Sequence, residues 1–239
     1  MTGDVARRLA DVRARIAAAA TRAGRDAGEV TLVVVTKEVD LSRLRAALAS
    51  GERDLGENRA QELVAKAETL ASEEPRDIAP QWAPHWAPHW ALHWHFIGRL
   101  QRNKVRSLVP YVSLWESVDR IALGREIAEH APRARVLVQV NLAGESQKGG
   151  CSPGETASLV DALRDLGLDV EGLMTVPPAV GNPRPWFAQL RSAAAEIGLP
   201  TLSMGMSEDF EQAVEEGATI VRVGSAVFGT RPSAADVRR

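Results

Sequence analysis

Cysteine is almost missing from this chain. Cys151 is the single one among 239 residues, so no intrachain disulfide can form and the composition fits a reducing compartment. An excess of either charge is missing too. The 29 basic and 31 acidic residues leave a net charge of −2, which offers no electrostatic case for nucleic acid or an anionic membrane as a partner. No apolar run approaches the ~20 residues of a membrane-spanning helix. The opening stretch, Met1 to Arg25, is Arg-rich with alternating apolar positions and lacks the continuous apolar core of a secretion signal. These absences predict a cytoplasmic protein. Aromatics make up only 5% of the chain, with Tyr111 the one tyrosine. Lysine is confined to Lys37, Lys66, Lys104 and Lys148, the other basic residues being arginines.

What is present is an ordinary soluble composition, 45% apolar and 25% charged. The pattern alternates. Val5, Leu9, Val12 and Ile16 fall at helical spacing and predict an amphipathic helix ending near Gly24. Strands are expected at about Thr31–Thr36, Asp54–Gly56, His95–Gly98, Tyr111–Trp115, Arg135–Leu142, Val170–Val176, Thr201–Met204 and Thr219–Val223. Helices are expected between them, at Leu41–Ala49, Arg59–Leu70, Arg102–Leu108, Asp119–Glu129, Pro153–Leu166, Pro185–Ile197 and Glu208–Glu216. Eight strands alternating with helices predict an α/β chain, a single (β/α)8 TIM-type barrel with an extra N-terminal helix, in one domain over residues 1–239. A doubly wound open sheet is the alternative, disfavoured because no G-x-G-x-x-G follows the first strand.

In a barrel the residues that end the strands converge on one mouth. Here they are Lys37, Glu57, Asn58, His95, Gly98, Glu116, Ser117, Asn141, Thr175, Ser203, Gly224 and Ser225. A lysine at such an edge can be partly desolvated, and its amine can then attack a carbonyl, which a guanidinium cannot do. A snorkelling lysine would satisfy the same pattern. Gly205-Met206-Ser207 and Gly224-Ser225, after the seventh and eighth strands, suit a phosphate. Together these features suggest a phosphorylated aldehyde held at both ends, with pyridoxal phosphate (PLP) the natural candidate. Arg222 could face its pyridine nitrogen; a barrel-wall ion pair fits that spacing equally well.

Several longer stretches carry a resemblance. They are Val35-Thr36-Lys37, Gly56-Glu57-Asn58-Arg59-Ala60-Gln61-Glu62 and Trp94-His95-Phe96-Ile97-Gly98-Arg99-Leu100-Gln101-Arg102-Asn103-Lys104. With them go Gln139-Val140-Asn141, Lys148-Gly149-Gly150, Gly172-Leu173-Met174, Leu202 to Ser207 and Val221 to Gly229. In order along the chain, these resemble the pyridoxal phosphate homeostasis proteins. The resemblance implies a barrel like the N-terminal domain of alanine racemases, with PLP held as a Schiff base on Lys37. By the same resemblance Asn58 and Ser203 line the cofactor, Arg222 faces the ring nitrogen, and Ser207, Gly224 and Ser225 hold the phosphate. The implied role is intracellular vitamin B6 homeostasis without clear catalytic turnover, in a monomer or weak dimer, with apo PLP-dependent enzymes as candidate recipients. Lys148 is read as a mobile surface lysine, with a part in cofactor hand-over as the alternative.

An amino-acid racemase is the competing function. Two-base racemization needs a second acid/base residue opposite Lys37, and Tyr111 starts a strand rather than standing in a second domain. The chain departs from the family at Leu55, where an aromatic is usual, and at Gln81 to Trp94, a four-residue Trp/His/Pro repeat. Residues 79–93 are read as an inserted loop, since Pro84 and Pro88 exclude a helix or a central strand. His85, His89 and His93 offer imidazoles, but with no acidic or Cys ligand inside the repeat no metal is expected.

Overall fold

Both faces of each strand in a parallel barrel are buried, so its strands read as near-continuous apolar runs. The first run, Leu32 to Val35, does become such a strand. The computed structural model describes residues 2–73, 92–145 and 147–229. Eight parallel strands close into a barrel in the order β1 to β8. They are β1 (Thr31–Val35), β2 (Asp54–Glu57), β3 (His93–Phe96), β4 (Val112–Val118), β5 (Arg135–Gln139), β6 (Asp169–Met174), β7 (Thr201–Ser203) and β8 (Ile220–Val223). The helices are α1 (Thr2–Arg22), α2 (Leu41–Ala49), α3 (Ala60–Glu73), α4 (Val105–Leu108), α5 (Ile121–His130), α6 (Thr156–Asp165), α7 (Arg184–Glu196), α8 (Phe210–Glu215) and α9 (Ser225–Phe228). The barrel and its extra N-terminal helix are those expected; the open sheet is excluded by the pairing of β1 with β8.

The two faces of the strands have separate cores. Val33, Leu114, Leu137, Met174 and Ile220 form a small cluster of their own inside the barrel. Leu32, Val34, Val136, Val138, Val221 and Val223 belong to the larger cluster that includes the helices. Because side chains alternate along a strand, stepping by two from Val33 leads through Val35 to Lys37. The same step leads from Leu114 to Glu116, from Leu137 to Gln139 and from Ile220 to Arg222. The interior therefore turns from apolar to polar toward the C-terminal mouth. Outside, α1 buries Val5, Leu9, Val12 and Ile16 against α2, α8 and α9.

Several boundaries differ from expectation. β3 starts at His93 and ends at Phe96, rather than running from His95 to Gly98, because His93 pairs with Asp54 and Trp94 is buried. The last residues of the repeat thus belong to the barrel wall; residues 79–91 of the expected insertion lie outside the described residues. β4 runs on to Val118 instead of stopping at Trp115. Glu116 and Ser117 are polar, yet both find hydrogen-bond partners within the barrel wall, so the strand can carry them. β5 stops at Gln139, and Val140 makes only an isolated bridge to Cys151. The expected helices at Arg102 and Pro153 each open with a 3-10 turn before α4 and α6.

Candidate functional site

Lys37 stands half-buried just past β1, and the backbone on both sides of it is clamped. The Thr36 carbonyl accepts from Lys66 Nζ at 2.5 Å. The Glu38 N–H donates to Glu62 Oε1 at 2.6 Å, with Glu38 held at φ 59°, in the left-handed region. Lys66, from α3, also bonds Glu62 Oε1 at 2.6 Å and Glu57 Oε2 at 2.9 Å. Thr36 Oγ1 donates to the same Glu57 oxygen at 3.1 Å. Burial pushes the Glu57 carboxyl up, and Lys66 pulls against that rise. Sequence reasoning missed Lys66. Its signal was a lysine set among Leu63, Ala67 and Leu70, the buried face of α3.

The turn after β8 lies against the same strand end. A methyl group at Gly224 would sit 3.3 Å from both the Cβ and the carbonyl oxygen of Val35. The expected phosphate segments do meet: Ser207 Oγ accepts from the Gly224 N–H at 3.1 Å and the Ala226 N–H at 3.2 Å. Ser225, between them, is exposed. Gly205-Met206-Ser207 differs from expectation. The Met206 N–H is not open to an anion but donates to Asp209 Oδ1 at 2.6 Å. Gly205 has φ +93°, and a Cβ there would come within 2.5 Å of Ala213 Cβ, so only glycine fits.

Beneath the mouth, charged and polar groups run across the barrel interior. Arg222 is 4% exposed and Ser203, Glu116 and His95 are 0%, 0% and 5% exposed. Arg222 Nη2 donates to the Thr175 carbonyl at 2.8 Å, and Nη1 donates to Ser203 Oγ. Ser203 Oγ in turn donates to Glu116 Oε2 at 2.5 Å. The other Glu116 oxygen lies 2.6 Å from His95 Nδ1, and His95 Nε2 lies 3.3 Å from Asp54 Oδ1. Burial works against a charged His95, but the hydrogen bonds to Asp54 and Glu116 outweigh it and raise its pKa to about 9. Burial likewise opposes ionisation of Glu116, yet His95 and Arg222 hold it below the ordinary carboxylate range. Burial draws the Arg222 pKa down against the pull of Glu116 and Asp209. The guanidinium remains charged.

Of the two readings of Arg222, the barrel-wall ion pair is the one observed, with Nη1 3.9 Å from Glu116 Oε2. The Ser203 hydroxyl is engaged on both sides, accepting from Arg222 and donating to Glu116. Asn58 follows Glu57 at the end of β2, its N–H on Glu57 Oε1 at 2.9 Å, and lines a cleft of about 180 Å³ with Arg59, Phe96, Arg99 and Lys104. Its Oδ1 is buried without a partner. Lys148 is not a free surface lysine: Nζ donates to the Pro177 carbonyl at 2.7 Å and lies 2.5 Å from Glu145 Oε2. Tyr111 points to the outer layer, its hydroxyl 3.3 Å from Glu68 Oε1 on α3. His93 lies 3.0 Å from Asp54 Oδ1, while His85 and His89 fall outside the described residues. Among the described residues no three His, Cys, Asp or Glu side chains converge on a metal position, and no helix is long and apolar enough to cross a membrane.

These residues fit PLP. The mouth holds an amine on a clamped backbone, a cation on a fixed strand, and a serine hydroxyl bound into a tight turn. The orphaned Asn58 acceptor is the kind of buried group a bound molecule would complete.

Comparison with known proteins agrees. The family model for the alanine racemase N-terminal domain matches residues 8–232. The pyridoxal phosphate homeostasis protein of Aquifex aeolicus is 41% identical, covering 94% of this chain and 97% of its own. That of Pseudomonas aeruginosa is 38% identical, covering 95% and 96%. The solved structure of PipY from Synechococcus elongatus with PLP bound superposes with a TM-score of 0.77 at 32% identity, over 94% of this chain and 100% of that one. With relatives this similar along nearly its whole length, the chain belongs to the pyridoxal phosphate homeostasis protein family.

Proposed function

We propose that this chain binds PLP through Lys37 and acts in intracellular PLP homeostasis as a non-catalytic carrier. The observation that carries the reading is the clamped lysine beside the Ser207–Gly224 turn, with Arg222 standing on the adjacent strand. When bound, PLP supplies an aldehyde that condenses with amines and a ring that can accept electrons. The Lys37 amine would hold the cofactor through that aldehyde, as a Schiff base formed with loss of one water. Ser207, whose hydroxyl accepts from the Gly224 and Ala226 N–H groups and keeps its own proton to donate, holds the phosphate with the Gly224-Ser225 turn, and Asn58 lines the rim. Arg222 places a fixed cation toward the ring nitrogen. A cation there disfavours protonation of that nitrogen and so weakens the ring as an electron sink.

The racemase alternative is not favoured, because the Tyr111 hydroxyl is committed to Glu68 on α3. A carrier must also release its load. We place the chain in the cytoplasm, as a monomer or weak dimer, passing PLP to apo PLP-dependent enzymes. The test is the visible absorption spectrum of the protein after incubation with PLP, beside Lys37→Ala. A yellow band in the first that is lost or shifted in the second is expected. A wild-type protein that stays colourless in excess PLP would overturn the proposal.

A further inference from the structure

We infer that Glu116 and His95 are positioning residues for the cofactor, acting through Ser203 to set where Arg222 stands and how much of its charge reaches the mouth. The inference rests on the reading of Arg222 just given and deepens it.

An arginine side chain has many rotamers, and holding one needs anchors on the guanidinium itself. Arg222 has two: the Thr175 carbonyl on Nη2 and Ser203 Oγ on Nη1. The second depends on Glu116. A serine hydroxyl has one proton, and here it goes to Glu116 Oε2, which leaves a lone pair facing Arg222. With Glu116 neutral, that proton would be free to turn and the anchor would weaken.

His95 decides how the Glu116 charge is shared. Asp54, His95, Glu116 and Arg222 carry alternating charges, negative, positive, negative, positive, from the start of β2 to the mouth. Arg222 Nη1 is 3.9 Å from Glu116 Oε2, with Ser203 bridging the two. His95 Nδ1 is closer, at 2.6 Å from Oε1. The carboxylate thus answers to two cations, and Arg222 keeps part of its field for whatever lies at the mouth. Asp209 is the other acid acting on Arg222; Asp54 is the other acid on His95. Groups buried this deeply are weakly screened, so a change of one charge travels along the row.

The test uses the full chain loaded with PLP labelled with 15N in the ring, and follows the ring-nitrogen chemical shift with pH. In the wild type the nitrogen is expected to stay unprotonated from pH 6 to 9. His95→Asn places an amide N–H where Nδ1 stood, so it still donates to Glu116 but carries no charge; Glu116 then acts undivided on Arg222 and the midpoint of ring protonation should rise by about one unit. Ser203→Ala removes the spacer and lets Arg222 collapse toward Glu116, so the midpoint should rise here too. A purely structural role would lower the melting temperature and leave the nitrogen where it was. PLP bound normally with an unmoved nitrogen signal in both variants would overturn this inference alone. No cofactor signal in the wild type would instead overturn the carrier reading.

Discussion

At the scale of single residues, the chemistry rests on buried charges that have partners. Lys66 has 8% of its side chain exposed and Glu57 none. Replacing Lys66 by methionine leaves the Glu57 carboxylate buried and unpaired, and breaking such a pair from one side costs about 3–5 kcal/mol. Urea unfolding should read that loss. The same variant frees the Thr36 carbonyl, so its PLP absorbance at equal cofactor should fall below that of the wild type. His95 gives a pH signature. Its folded pKa of about 9 stands above the ordinary histidine value of 6.5, so its contribution is complete below pH 6.5 and disappears as pH rises through 9. The size is about 3 kcal/mol. Unfolding free energies at pH 6 and pH 10 should differ by more in the wild type than in His95→Gln; equal differences would refute the assignment. On the acid side, Asp54 and Glu116 are both held below their ordinary values. They therefore lose their stabilising effect as pH falls through the carboxylate range.

At the scale of elements, the barrel depends on strands approaching closely where glycine stands. A Cβ at Gly172, in β6, would come within 2.0 Å of the Thr201 carbonyl oxygen, in β7. The obstacle is backbone and cannot rotate away, so Gly172→Ala should destabilise by roughly 1–3 kcal/mol. The expected readout is a lower urea midpoint with an unchanged slope. Gly98 does the same for the loop after β3: a Cβ there would meet the Asn58 carbonyl oxygen at 2.1 Å. That contact sets how the β2 and β3 loops stack. α1 is a different kind of element, held by an apolar stripe rather than by the barrel's hydrogen bonds. Leu9 is 2% exposed, and Leu9→Ala should cost about 2–5 kcal/mol, again by urea unfolding.

At the scale of the whole molecule, the carrier reading turns on access to the mouth. Cofactor loaded on the chain should pass to an apo PLP enzyme, seen as recovery of the acceptor's activity together with loss of the donor's absorbance. Lys37→Ala, incubated and desalted in the same way, should deliver less. No transfer from the loaded wild type would count against the carrier role.

The eight-strand alternation, the N-terminal helix and the lysine at the end of the first strand could all be read from the chain alone. Period and composition are local properties: a buried parallel strand has to be apolar along its length, and a helix has to carry a stripe. The convergence of Ser207 with Gly224 followed from barrel topology once the strands were counted. What stayed hidden was pairing across the interior. Glu116 looked like a residue beyond its strand because polarity usually marks an end, and His95, Ser203 and Arg222, from three other strands, make it tolerable inside. Lys66 looked like one more helix residue, because a side chain's partner is set by three-dimensional neighbours far away in sequence. Hydrophobic periodicity selects the fold through many weak, additive terms that each residue announces for itself. The charge row beneath Arg222 is made of a few strong, directional contacts, and those exist only once the barrel has closed.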